Sequence, residues 1–208
     1  MILDPARPPS RGRISNQVIG TMASTYNQLI KAVRDGDEVE CARVLKLKTA
    51  DIHKKDNDGY SSIIVASRYG HVNVVELLLS KGANINDKDD NGSSSIIWAS
   101  NGGHVKVVEL LLSKGANIND KDNHGTSSII SASYRGHVNV VELLLSKGAN
   151  INDKNNNGNS SIIEASSQGH VNVVELLLSK GANINDKDYY SNSAIIAASK
   201  GGYVNVTI

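Results

Sequence analysis

Asp153, Asn155, Asn157 and Gly158, followed by Glu164, satisfy the D-x-[DN]-x-[DN]-G-x5-E spacing of an EF-hand calcium loop, in which alternate oxygen side chains and a distal glutamate surround a hard cation. The context argues against that chemistry. An EF-hand loop joins two helices, whereas this stretch reads as a turn-rich finger entering one helix, with Ser160 and Ser161 at the helix start. The equivalent run from Asp87 carries Trp98 at the glutamate's place, and the run from Asp120 has His124 at a ligand position. His71, His104, His137 and His170 form a second series with ligand chemistry. If they belong to neighbouring helices they lie roughly 8–10 Å apart, too far for one ion that needs ligands near 2.1 Å. They are expected to be structural, at the start of a helix. No P-loop, dinucleotide fingerprint, zincin motif or recognisable nucleophile setting is present, so neither catalysis, a cofactor nor a metal is expected. Sequons at Asn91, Asn159 and Asn205 carry little weight in a chain that shows no secretory signal.

The elements that hold these residues are set by repetition. GHVNVVELLLSKGANINDKD, residues 70–89, returns almost letter for letter at 103–122, 136–155 and 169–188. A fixed period of this size means one supersecondary unit stacked on copies of itself, each burying its apolar face on the next. With 22 basic and 21 acidic side chains, a net charge of +1 and no block of like charge, neither nucleic acid nor an anionic membrane is expected as a partner. No run approaches the roughly 18 apolar residues of a membrane span. The single Cys41 cannot close an intramolecular disulfide, which fits a reducing compartment such as the cytoplasm.

Residues 1–23 hold all three prolines and several arginines among small polar residues, and read as a disordered tail; Met22 opens the more protein-like sequence. Residues 24–56 form a degenerate first unit, two short helices broken at Gly36-Asp37, with Val39, Val44 and Leu45 on the apolar side and a charged face expected of a terminal cap. Full units follow at 57–89, 90–122, 123–155 and 156–188. In the first, Ser61 precedes a helix through Ile63, Ile64 and Ala66, and His71 opens a second through Val74, Val75, Leu77, Leu78 and Leu79, stopped at Lys81-Gly82. An Asn/Asp/Gly-rich finger leads on to the next unit. Residues 189–208 hold about half a unit, whose second helix is expected to begin at Tyr203 and end at Thr207-Ile208; Gly201 to Ile208 are expected to fray, and the Val173, Leu176 and Leu177 face of the preceding unit is expected to lack cover.

These residues closely resemble the ankyrin repeat, with its pattern D-x-x-G-x-T-P-L-H-x-A-x-x-x-G-H-x-x-V-V-x-L-L-L-x-x-G-A-D-V-N-A. The resemblance implies an all-α solenoid of helix-turn-helix units joined by β-turn or hairpin fingers. One departure is systematic: T-P-L-H becomes Ser61-Ser62-Ile63-Ile64, Ser94-Ser95-Ile96-Ile97, Ser127-Ser128-Ile129-Ile130 and Ser160-Ser161-Ile162-Ile163. The first serine is expected to cap its helix with its hydroxyl. The second isoleucine should trade the histidine's polar bond for buried apolar surface.

From the position of Gly70 to that of Asp89 the full units differ only at Lys106 and Asn155. Variation gathers instead at the fingers and on the first helices. Candidate partner-binding residues there are Tyr60, Val65, Arg68 and Tyr69; Asn91, Ser93, Trp98 and Asn101; His124, Thr126, Tyr134 and Arg135; Asn159, Glu164 and Gln168; and Tyr189 and Tyr190. A side chain that only packs the stack must repeat; one that meets a non-repeating partner must not. Five of the seven tyrosines and the one tryptophan lie at these positions, with Arg68 and Arg135, and these residue types are enriched at binding hot spots.

In the ankyrin family those positions line the concave groove through which proteins are bound. The resemblance therefore implies a non-enzymatic module that binds another protein. A structural, self-associating spacer is the alternative. A monomer is expected, with weak end-to-end association through the C-terminal half-unit. The Asn/Ile/Ser/Lys-rich near-copies look like the ankyrin repeats of giant viruses, intracellular bacteria and protists, which implies a host-directed effector or adaptor in the producing cell's or a host's cytoplasm. The family's finger asparagines are substrates of an asparaginyl hydroxylase, and the matching positions are Asn86, Asn119, Asn152 and Asn185.

Overall fold

A computed structural model describes the backbone of residues 16–203 and the side chains of residues 24–203. Eleven helices occur among them: α1 (Asn16–Asp35) and α2 (Glu38–Val44), α3 (Ser62–Arg68) and α4 (Val72–Ser80), α5 (Ser95–Asn101) and α6 (Val105–Ser113), α7 (Ser128–Tyr134) and α8 (Val138–Ser146), α9 (Ser161–Ser167) and α10 (Val171–Ser179), and finally α11 (Ala194–Lys200). First helices pack on first helices from α1 through α3, α5, α7 and α9 to α11, and second helices likewise from α2 to α10. The result is the two-layered, all-α solenoid that the repeat demanded. Its only sheet-like pairings among the described residues are isolated antiparallel bridges at the finger bases, such as Lys88 with Ser94.

The two layers bury their residues differently, because their surroundings differ. In α6 only one stripe, Val107, Val108 and Leu111, is buried. That spacing puts three apolar side chains on one face of a helix whose opposite face is wet. In α5, wedged between α3 and α7, Ile96, Ile97, Ala99 and Ser100 are all buried. Ile64, Ile97, Ile130 and Ile163, which stand where the resembling family has histidine, are at most 4% exposed, so they do fill the core. α6 stops where Gly115 turns to φ 90° and the Ala116 N–H reaches back to the Leu111 carbonyl at 3.0 Å.

The same polar contacts recur from junction to junction, with Tyr203 in the histidine's place at the last. The Nε2 atoms of His71, His104, His137 and His170 lie 2.9–3.0 Å from the carbonyl oxygens of Arg34, Arg68, Asn101 and Tyr134, one unit back. A carbonyl can only accept, so the imidazole donates from Nε2. The histidine ring packs against a glycine of the preceding unit: a Cβ on Gly103, at φ +74°, would stand 2.7 Å from His137 Nδ1. On the finger side, the Nζ atoms of Lys88 and Lys121 donate to the carbonyls of Lys121 and Lys154 at 2.9 Å, and pair with Asp120 and Asp153 at 2.7 and 2.6 Å. Finger backbones also join directly, Asn123 N–H to the Asn91 carbonyl at 2.9 Å.

Several expectations need correction. Helix α1 begins at Asn16, so residues 16–23 are helical rather than tail; residues 1–15 lie outside the described residues. Val39 is 81% exposed, because Cys41 and Val44 form the buried face of α2. Ser61, Ser94, Ser127 and Ser160 occupy N-cap positions with extended backbones, yet no hydroxyl caps its helix. Each is buried, its backbone pairs in the finger bridge, and its hydroxyl has no hydrogen-bond partner. At the C-terminal end, Val173 and Leu177 are buried; the exposed apolar residues are Ile195, Ile196 and Tyr203. Residues 204–208, where fraying was expected, lie outside the described residues.

Burial also ranks the leucines of the second helix. Leu111 is 0% exposed, whereas Leu110 is only half-buried. Leu111→Ala should therefore cost about 2–5 kcal/mol in urea unfolding, and Leu110→Ala distinctly less. Equal losses would mean that the helix is rotated relative to this packing.

Candidate functional site

Every finger is stapled by one carboxylate or amide. Asp89 Oδ1 accepts from the amides of Asn91 and Ser93 at 3.0 and 2.9 Å, and Asp122 Oδ1 from those of His124 and Thr126 at 2.9 and 2.8 Å. Asn155 and Asp188 repeat the pattern with the amides two and four residues on. At Asp188 burial works against ionisation, but bonds from the Asn192 side chain and from the Asn192 and Tyr190 amides outweigh it and hold the carboxyl below its ordinary value. The staple fixes the turn of each finger by tying the residue at its base to the amides two and four residues on.

Among the candidate residues, Arg68, Tyr69, Asn91, His124, Tyr134, Arg135, Tyr189 and Tyr190 are exposed, Tyr189 and Tyr190 by 76% and 79%. Tyr60, Trp98, Asn101, Thr126, Asn159, Glu164 and Gln168 are half-buried. Val65 and Ser93 are buried, at 4% and 6% exposure; Val65 belongs to the packing of the stack, while Ser93 lies in the lining of the pocket described below.

Trp98 is engaged on several sides. Its Nε1 donates to Asp89 Oδ2 at 2.8 Å, its ring lies 5.7 Å from that of Tyr60, and the Arg68 guanidinium sits 4.5 Å from its centroid. Burial is the main influence raising the Tyr60 phenol above its ordinary value. Glu164, at the same helix position two units on, accepts from Asn155 and Asn159 through Oε1 at 3.0 and 2.9 Å. Between these two residues lies Ser131, and there the surface opens into a pocket of about 410 Å³, lined by Trp98, Asn101, Asp122, Thr126, Tyr134 and Glu164 among others.

The residues that matched a calcium loop are committed elsewhere. Asp153 is paired with Lys121, and Asn155 staples its finger and holds Glu164. The histidines bind carbonyls, as described above. Among the described residues no group of three or more His, Cys, Asp or Glu side chains could hold a metal ion. Cys41 is buried, and burial pushes its thiol up to about 11, so it stays protonated at neutral pH.

Comparison with known families converges on the same architecture. A family model described as ankyrin repeats (3 copies) matches residues 29–122 and 120–188. The chain belongs to the ankyrin-repeat family. No match was found among curated proteins. Ankyrin repeats are protein–protein interaction modules and are generally non-catalytic. Within this ankyrin stack, no described helix is long and apolar enough to cross a membrane. The finger asparagines Asn86, Asn119, Asn152 and Asn185 are exposed.

What the sequence reading missed is that the variable positions of this ankyrin stack touch one another. The signal was present in the register: Asp89 and Trp98, like Asn155 and Glu164, stand nine residues apart, from the finger staple to the second turn of the first helix. Trp98→Ala should accordingly cost about 2 kcal/mol, through loss of the indole bond, the Tyr60 contact and the Arg68 stacking. Tyr134→Ala should cost about 0.5 kcal/mol or less. Thermal unfolding of the two variants tests the contrast, and equal Tm values would contradict it.

Proposed function

We propose that this ankyrin stack is a non-enzymatic binding module that holds a partner protein in the groove between its fingers and first helices. The observation that carries the reading is the separation of two residue sets. Residues that join unit to unit, such as His104 and Lys88, recur without change, while exposed groove residues such as Tyr69, Tyr134 and Arg135 change from unit to unit. Drift on tolerant surface would favour small polar residues over exposed aromatics.

The partner role is that of an adaptor or a host-directed effector, acting in the cytoplasm of the producing cell or of a host. The resemblance of the near-identical repeats to those of giant viruses, intracellular bacteria and protists supports it. A second reading, a spacer that associates end to end as copies of the monomer, is favoured by exposed Ile195, Ile196 and Tyr203 at the C-terminal end.

Replacing Tyr69, Tyr134 and Arg135 together by Ala should leave Tm nearly unchanged and weaken capture of a partner from lysate by about 30-fold or more, since one hot-spot residue is worth about 2 kcal/mol. A variant that captures the same partner as tightly as the parent chain would sink the groove reading. Concentration-dependent growth in sedimentation would favour the spacer. Asn86, Asn119, Asn152 and Asn185 are exposed and are proposed as sites of asparaginyl hydroxylation. Incubation with the oxygenase should add oxygen to the intact mass; an unchanged mass would end that proposal.

A further inference from the structure

Near-identical junctions make the molecule its own control. Between the first two full repeats, the notch beside Asp89 is filled by the chain's own side chains. The Arg68 guanidinium lies 5.6 Å from the Tyr60 ring centroid and 4.5 Å from that of Trp98, and Asp89 Oδ2 accepts a hydrogen bond from the Trp98 indole N–H. One repeat later, Ser93, Asn101 and Ser131 stand where Tyr60, Arg68 and Trp98 stood, and Asp122 stands where Asp89 did. Three large side chains have become small ones, and the 410 Å³ pocket opens at this junction.

The chemistry of the pocket follows from what was lost. Asp122 keeps its staple through Oδ1, but no indole reaches its second oxygen, because Ser131 Oγ is short and instead accepts from Asn101 Nδ2 at 3.1 Å. Trp98 and Tyr134 supply aromatic lining, Asp122 and Glu164 supply carboxylates, and no Lys or Arg lines the pocket. Each of these rings has one of the chain's own cations against it, Arg68 at 4.5 Å from the Trp98 centroid and Arg135 at 5.5 Å from that of Tyr134, but neither arginine lines the pocket or reaches its carboxylates. Carboxylate beside aromatic faces suits a planar guanidinium, which pairs in a fork and stacks at once, better than a strongly hydrated ammonium.

We propose that this pocket seats an arginine side chain from an extended segment of the partner protein, in the space that Tyr60, Arg68 and Trp98 fill at the first junction. The proposal rests on the groove reading above and names the chemistry of its partner.

Trp98 is the only tryptophan, so its indole N–H gives one assignable signal in the spectrum of the full chain. The probes are a blocked Gly-Gly-Arg-Gly-Gly peptide and its counterparts with citrulline or lysine at the centre. The arginine peptide should shift that signal saturably, and the citrulline and lysine peptides should bind at least about tenfold more weakly. Asp122→Asn should weaken the arginine peptide by a similar factor without unfolding the finger, because Asn155 forms the same staple one repeat later. Ser131→Trp, which restores the first junction's indole beside Asp122, should abolish the saturable response. The proposal is overturned by a citrulline or lysine peptide that binds as well as arginine, by Asp122→Asn binding as the parent does, or by no saturable shift at millimolar peptide. If the arginine peptide fails while the Tyr69, Tyr134 and Arg135 variant still loses its partner, the groove reading stands and the arginine assignment alone falls.

Discussion

A helix of two turns does not stand alone in water. Helices α3, α5, α7 and α9 have seven residues each and their second helices nine, well below the roughly 12–15 residues at which an isolated helix becomes even marginally stable. They persist only because each unit lays its apolar side on the next, and this dependence shapes everything else. It is why α5 is buried on nearly every side while α6 is buried on one stripe. It is also why the residues at the junction recur at a constant interval: the contact is the same at every step, so the side chains that make it must be too.

Whatever does not serve the junction is released to vary, but the release is incomplete. Val65, Trp98, Ser131 and Glu164 occupy one helix position and do four different things: core packing, an indole bond to a finger, a pocket floor, and a carboxylate that holds two asparagines. Each choice is paired with its surroundings. Trp98 faces Asp89, and Glu164 faces an asparagine at the same place, since two carboxylates there would repel each other. The groove is therefore a row of locally compensated polar clusters rather than a row of independent letters.

The architecture could be read from the chain because repetition multiplies a weak pattern. Val107, Val108 and Leu111 and their copies, together with the glycine stops, place the helices without further information. That the four histidines open the second helices was likewise legible. Side-chain orientation was not. Ser61 and its copies have the right residue type, position and extended backbone for a cap and fail to make one, since a cap depends on the hydroxyl's rotamer, which residue type does not fix. Val39 points to solvent because it stands five and six residues from Val44 and Leu45, off the i, i+3 face that Cys41 and Val44 bury. The pocket at Ser131 escaped for another reason. It exists only as a difference between adjacent units, in side chains that approach one another across a finger and two helices.

The histidine bonds at the junctions end on main-chain oxygen. His71, His104, His137 and His170 address the carbonyls of Arg34, Arg68, Asn101 and Tyr134, four residues of different character in which the acceptor is the same atom. The lysine bonds between fingers also end on carbonyls. A joint written in backbone is indifferent to the side chain beside it, so the units are interchangeable cartridges. An in-frame recombination between near-identical gene segments can delete, duplicate or reorder them, and each newcomer finds its acceptor waiting. What changes is the order of letters along the groove, while the fastening that carries them stays as it was.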